Sequence, residues 1–185
     1  MVRRTWVRVA CLVLGLCSLG AGQEDRPDYY PLRKGNRWDY IRLESPRERV
    51  TRNVTRAEAV PGGVRVLLDS TRVLVASADQ LLDEKAGIAI LRYPLVAGAE
   101  WQAPSKNQAT GQISRRTVRV LQVGTKCSAG IINSKNCVVT EEADRALGLK
   151  TRTTYAAGIG PVKFEEFRTG SPASVWMLAG YRLPK

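Results

Sequence analysis

The sequence predicts an all-β fold: an antiparallel curved sheet, a sandwich or a partly open barrel of about ten short strands, with little helix outside the signal peptide. Segments rich in Val, Ile, Thr and aromatic residues, with partial alternation of polar and apolar positions, recur along most of the chain. Gly and Pro residues that favour turns separate them. Both features are typical of antiparallel β proteins.

Each strand is predicted from β-branched or aromatic residues that alternate with polar ones. The segment 64–68 (VRVLL) shows the pattern well, and 112–123 (QISRRTVRVLQV) shows it over a longer run. The predicted strands, in order, are 38–43, 49–59, 64–68, 71–75, 88–93, 112–123, 136–142, 149–155, 162–168 and 174–183.

Two glycine-containing segments predict tight hairpin turns. Residues 61–63 (PGG) separate two alternating runs, and Gly158 and Gly160 flank the turn that precedes the strand 162–168. Helical tendency is confined to 79–85 (DQLLDEK), with one or two turns expected, and to 144–148 (DRALG), a brief helical turn or a wide loop.

The chain begins with a segment typical of a secretory signal peptide. Three arginines precede an apolar run at 9–19 (VACLVLGLCSL), and no acidic residue occurs before Glu24. The run is too short to span a bilayer, which takes about 20 residues. Small residues follow it, so we expect cleavage after Gly22, with Gly20 and Ala21 as open alternatives.

Two further export features are weaker. The paired arginines near the N-terminus resemble a twin-arginine signal, although the general secretory route needs no such pair. The sequence LGLC, which ends at Cys17, resembles a lipobox, but Leu16 occupies a position where that motif has a small residue. Lipidation of Cys17 would anchor the protein to a membrane, whereas without it Cys17 is an apolar residue of the signal.

The chain is thus divided into a signal peptide, 1–22, and one β-rich extracytoplasmic domain, 23–185, which is long enough for its own core. We expect the protein in the periplasm, the outer envelope or the extracellular space. Three of the 29 basic residues lie in the signal, which leaves the domain a formal net charge of +9.

The basic residues are spread along the domain, with one denser segment at 115–119 (RRTVR). Alternation places Arg115 and Arg119 on one face of a strand, which predicts a solvated face first and an anion contact second. An export signal argues against nucleic acid as the partner.

Two cysteines remain after cleavage, Cys127 and Cys137. An even number of cysteines in an oxidising compartment predicts a disulfide, with two free thiols on adjacent strands as the alternative.

The chain contains no histidine, which excludes Ser-His-Asp and Cys-His arrangements and histidine ligands for metals. Adjacent acids such as Glu141 and Glu142, or Glu165 and Glu166, point to opposite faces of a strand, so each pair is read as surface charge. We assign no catalytic, cofactor-binding or metal-binding residue and expect no cofactor.

A local repeat is the most specific pattern in the domain. Segments 31–38 (PLRKGNRW) and 94–101 (PLVAGAEW) share Pro-Leu, a glycine and a tryptophan at fixed offsets. The shared positions are Gly35 and Gly98, which permit a tight turn, and Trp38 and Trp101, which begin the next strand. We expect both indoles to fill corners of one core. A pair of aromatic platforms for a sugar or lipid is the alternative.

Residues 29–40 (YYPLRKGNRWDY) resemble the opening of a group of bacterial exported proteins and lipoproteins of unknown function, which begin Tyr-x-Pro-Leu-x-x-Gly-x-x-Trp-x-Tyr. Later segments resemble the same group in the same order: 93–102, 127–139 and the Gly-Ile-Gly-x-Val-Lys hairpin within 155–166. The resemblance implies a β-rich envelope domain and brings no catalytic residues.

These observations favour a non-enzymatic cell-envelope protein with a structural or protein-interaction role. The alternative is a lipid- or glycan-binding domain whose apolar cavity is lined by aliphatic residues, either Val64, Val66 and Leu68 or Val118 and Val120. A cell-wall or lipid hydrolase is a second alternative, and it requires two carboxyl groups that converge in a cleft. The expected partner is an envelope protein, a lipid or a glycan, with membrane association only through lipidation. Oligomeric state is not predicted.

Overall fold

The computed structural model describes residues 27–106, 113–145, 147–168 and 171–184. All regular secondary structure within these ranges is β-strand, and they contain no helix able to cross a membrane. The strands are β1 (Arg37–Arg42), β2 (Arg49–Val60), β3 (Gly63–Leu68), β4 (Arg72–Ser77), β5 (Gln80–Asp83), β6 (Ile88–Arg92), β7 (Glu100–Lys106), β8 (Ile113–Ala129), β9 (Ile132–Asp144), β10 (Leu149–Ala156), β11 (Gly160–Arg168) and β12 (Ser171–Arg182).

The twelve strands form one antiparallel sheet made of two six-stranded meanders. Strands β1–β6 and β7–β12 each pair in sequence order, and β1 also pairs with β12, which joins the two meanders. The two edge strands, β6 and β7, approach each other, since Trp101 Nε1 donates a hydrogen bond to the Ala89 carbonyl at 2.7 Å. The sheet is therefore nearly closed and barrel-like, and the all-β fold class is confirmed.

The core lies inside this curved sheet and follows the alternation of the strands. Inward positions carry aliphatic side chains, and outward positions carry most of the charged ones. Residues of both meanders contribute to one apolar cluster, including Trp38, Val54, Leu68, Leu74, Leu91, Val120, Val138, Val162 and Leu178.

The sequence repeat is a structural repeat. Gly35 and Gly98 have positive φ angles of 89° and 87°. Gly35 N donates to the Val54 carbonyl at 2.9 Å, and Gly98 N donates to the Val120 carbonyl at 2.8 Å. In both copies, therefore, the turn glycine donates a hydrogen bond to the carbonyl of a buried valine, on β2 for Gly35 and on β8 for Gly98.

The two tryptophans of the repeat connect the meanders to each other. Trp38 is 0% exposed and donates from Nε1 to the Ile159 carbonyl of the second meander at 2.6 Å. Trp101 is 6% exposed, and its acceptor, Ala89, lies in the first meander. Burial leaves neither indole face free as a platform for a ligand.

The disulfide prediction is confirmed. Cys127 on β8 and Cys137 on β9 are bridged, with their Cα atoms 6.0 Å apart. The free-thiol alternative is therefore not realised in this structure.

The sequence pattern does not predict two of the strands, so the described residues contain twelve strands and not ten. The helical interpretation of 79–85 is wrong, because Gln80–Asp83 forms β5 and pairs with β4 and β6. Its Gln and Leu residues tolerate a helix, but tertiary pairing overrides that weak preference. Strand β7 was missed because it contains small residues and Pro104, which an edge strand accepts.

Candidate functional site

Inward-facing positions change from apolar to charged toward one end of the sheet. On β2 they pass from the buried Val54 to Arg52, and on β4 from the buried Leu74 to Arg72. Both changes occur toward the N-terminal end of the strand. Arg72 is accordingly 44% exposed at its side chain, although the inward position next to it is fully buried.

The second meander shows the same change at the same end. On β9 the inward positions pass from Val138 to Glu142, and on β11 from Val162 to Glu166. These strands run opposite to β2 and β4, so their C-terminal ends lie where the N-terminal ends of β2 and β4 lie. We call this end of the sheet the polar end.

A cavity of about 440 Å³ opens inside the polar end. It falls within the size range of sites for small ligands. Its lining residues are Tyr30, Tyr40, Val50, Arg52, Leu68, Arg72, Ile90, Glu142, Thr151, Thr153, Tyr155, Pro161, Phe164, Glu166 and Trp176.

Aromatic rings form two contacting pairs in the wall. The ring centroids of Tyr30 and Tyr155 are 6.2 Å apart, and those of Tyr40 and Phe164 are 5.2 Å apart with a steep interplanar angle. Trp176 adds an indole that is only partly buried. Such rings offer flat apolar surface next to hydroxyl groups.

The phenols of this wall hold their protons. Desolvation by burial raises the pKa values of Tyr30, Tyr40 and Tyr155 above the usual value of 10.0. The charge of Arg72 lowers the pKa of Tyr155 and the charge of Glu142 raises it, by smaller amounts than desolvation. Both charges therefore lie near the same hydroxyl.

The arginines of the cavity are each paired with a carboxylate. Arg52 Nη1 donates to Asp69 at 2.8 Å, and Arg72 Nε donates to Asp83 at 2.6 Å. A guanidinium has five N–H donors, so each arginine keeps donors that can contact a ligand.

The carboxylates of the cavity are also held in place. Glu142 accepts a hydrogen bond from Arg116 at 2.7 Å, and Glu166 accepts one from the Ser174 hydroxyl at 3.3 Å. In the sheet register, Thr151 lies between Glu142 and Glu166. The three side chains thus form one row across β9, β10 and β11 on the inner face.

The candidate residues taken from the sequence lie elsewhere. Arg115 and Arg119 are exposed on β8, and Arg119 has two acidic cross-strand neighbours, Glu100 and Glu141, which offset its charge. Of the aliphatic residues expected to line a cavity, Leu68 lines it and Val64 is exposed. The other three, Val66, Val118 and Val120, are buried in the core. Cys17 and the signal peptide lie outside the described residues.

Sequence reasoning missed the polar end because its members are far apart in the chain. The acids Glu142 and Glu166 were read as parts of separate surface pairs, yet both line one cavity. The signal in the sequence was the presence of charged residues at inward positions near strand ends. Detecting it requires knowing which residues of each strand point inward.

Within the part of the chain that the structure describes, no three His, Cys, Asp or Glu residues are grouped as metal ligands.

No protein-family model matches the chain, and no curated protein matches it. Two solved structures are similar to it. A candidate exported protein with a YmcC-like fold from Bacteroides fragilis has a TM-score of 0.53 and 10% identity, over 85% of this chain and 100% of that one. A candidate lipoprotein from Parabacteroides distasonis has a TM-score of 0.48 and 10% identity, over 86% and 100%. The first likeness shows that this chain shares the fold.

Proposed function

We propose that this protein is an exported, non-enzymatic cell-envelope protein that binds a small ligand in the cavity of the polar end. The observation that carries this proposal is the cavity itself. Charged side chains are costly in a closed apolar core, so their place at these inward positions indicates a space that stays open and polar. Here arginines and glutamates from four strands line an open space of about 440 Å³.

Export is supported by the N-terminal sequence and by the disulfide. A basic segment, an apolar run and small residues precede the domain in the order of a signal peptide. The Cys127–Cys137 bridge fits an oxidising compartment.

Native mass spectrometry of the mature protein, purified from the envelope of the cells that make it, tests the binding function. We expect an additional mass on the wild-type protein. Replacement of Thr151, which lines the cavity, by Trp should fill the space and remove the adduct. The matched control is Lys150→Trp, the neighbouring exposed position on the same strand, which should keep it.

Absence of any adduct on the wild-type protein, or its persistence in Thr151→Trp, would contradict ligand binding in the cavity. A structural or protein-interaction role would then be favoured. The same spectra report the start of the mature chain, since cleavage after Gly22 and acylation at Cys17 give different masses.

A hydrolase is the second candidate, because Glu142 and Glu166 line the same cavity. Their strands are separated by β10, so the backbones lie about 10 Å apart at the usual strand spacing. Inverting glycosidases separate their two carboxyl groups by about 6.5–9.5 Å. Turnover of a bound ligand by the wild-type protein, lost in both Glu142→Gln and Glu166→Gln, would establish hydrolysis over simple binding.

A further inference from the structure

We infer that the ligand of the polar end is an uncharged polyhydroxylated ring, a mono- or disaccharide. The inference rests on the proposed binding function and concerns the chemistry of the cavity wall.

The lining is balanced in charge. The lining contains two arginines, Arg52 and Arg72, and two glutamates, Glu142 and Glu166. Outside the lining, each arginine is paired with an aspartate, and Glu142 is paired with Arg116. An anionic ligand would meet the two glutamates, and a cationic ligand would meet the two arginines. Neither class gains from such a lining as much as a neutral ligand with both donors and acceptors.

The lining groups that are free to form hydrogen bonds include both donors and acceptors. The Tyr30, Thr151 and Thr153 hydroxyls have no hydrogen-bond partner among the residues that the structure describes, and they line the cavity. The arginines retain free N–H donors, and the glutamates retain free carboxylate lone pairs. A sugar hydroxyl is both donor and acceptor, so it satisfies groups of either kind, whereas an acyl chain would leave them all unpaired.

Aromatic surface accompanies these polar groups. Trp176 and Phe164 are partly buried, and both reach the cavity next to Tyr40. One face of a sugar ring carries mainly C–H groups and can lie against such rings, while the hydroxyls at its edge reach the arginines and glutamates.

Titration calorimetry with the mature, disulfide-bonded protein tests the ligand class. The probes are a panel of uncharged mono- and disaccharides, the uronic acids that correspond to them, and palmitate. We expect at least one uncharged saccharide to bind at least about tenfold more tightly than its uronic acid. Its affinity should change little with salt, because no net charge is neutralised.

Glu166→Gln and Arg72→Met should each weaken that binding by about tenfold or more. Arg72→Met also removes the pairing with Asp83, so the nearly isosteric Glu166→Gln keeps the test valid if Arg72→Met fails to fold. Arg119→Met, on the outer face, is the control and should bind like wild type.

Tightest binding by a uronic acid or by palmitate would overturn the saccharide assignment, as would failure of every saccharide. These results remain distinct from failure of the proposed function. An adduct that Thr151→Trp removes would still establish the cavity as a binding site for a ligand of another class.

Discussion

Gly160 occupies a position where the backbone conformation and a neighbouring side chain both disfavour any other residue. Its φ is 111°, and a Cβ atom there would lie 3.0 Å from Trp38 Nε1, the atom that donates to Ile159. We expect Gly160→Ala to lower the free energy of unfolding by about 2–4 kcal/mol, measured by urea denaturation.

Gly158 in the same hairpin is the matched control. Its φ is 74°, but a Cβ would meet nothing within 4 Å. Gly158→Ala should therefore cost only the backbone strain, about 1 kcal/mol. Equal losses at both positions would show that contact with Trp38 contributes nothing to the requirement for glycine.

The buried tyrosines predict a loss of stability at alkaline pH. The pKa values of Tyr30, Tyr40 and Tyr155 are raised, chiefly by desolvation. A phenol with a raised folded-state pKa contributes stability that is fully present below its unfolded-state pKa of about 10 and is lost as pH rises from there. Urea denaturation across this range should show a plateau up to about pH 10 and then a fall.

Tyr155→Phe should make that alkaline fall shallower, because one ionisable group with a raised pKa is removed. Tyr181→Phe, at an exposed position, should leave it unchanged. A fall of equal steepness in wild type and Tyr155→Phe would count against the role of this tyrosine.

Most strands were predictable because their signal is local. Alternation within six to twelve residues identifies strands such as β1, β3 and β10, with bounds close to those observed. Strand β5 has only four residues, and its pairing with β4 and β6 decides its conformation, so no local pattern distinguishes it from a helical turn.

The β8–β9 hairpin carries a prediction for the disulfide. The bridge closes a segment with a sequence separation of 10, which stabilises the fold by about 3 kcal/mol in the chain-entropy estimate. Reduction should lower the free energy of unfolding by this amount. The β-sheet circular dichroism should persist, because the two strands remain paired from Arg116 and Asp144 to Ala129 and Ile132.

The double variant Cys127→Ser/Cys137→Ser gives the control, since added reductant should not change its unfolding curve. Collapse of the sheet signal on reduction of the wild-type protein would show that the bridge, and not strand pairing, holds this hairpin together.

At the scale of the whole molecule, the fold class followed from composition and alternation, but the polar end did not. Its lining comes from strands on both meanders, and Arg72 and Glu166 are brought together only by the closure of the sheet. Alternation predicts which residues share a face of one strand, but it does not predict which strands face each other across the sheet. The repeat at Trp38 and Trp101 was visible in sequence because each copy is contiguous.

Because β1 pairs with β12, the two ends of the chain and the opening of the sheet lie at different places in this molecule. Arg37 lies opposite Arg182, so the two ends of the sheet-forming chain are neighbours within the sheet. The sheet itself is open between β6 and β7, within an unbroken stretch of chain. A circular permutant that joins the present ends and begins at β7 would keep every existing strand pair and become a single up-and-down meander.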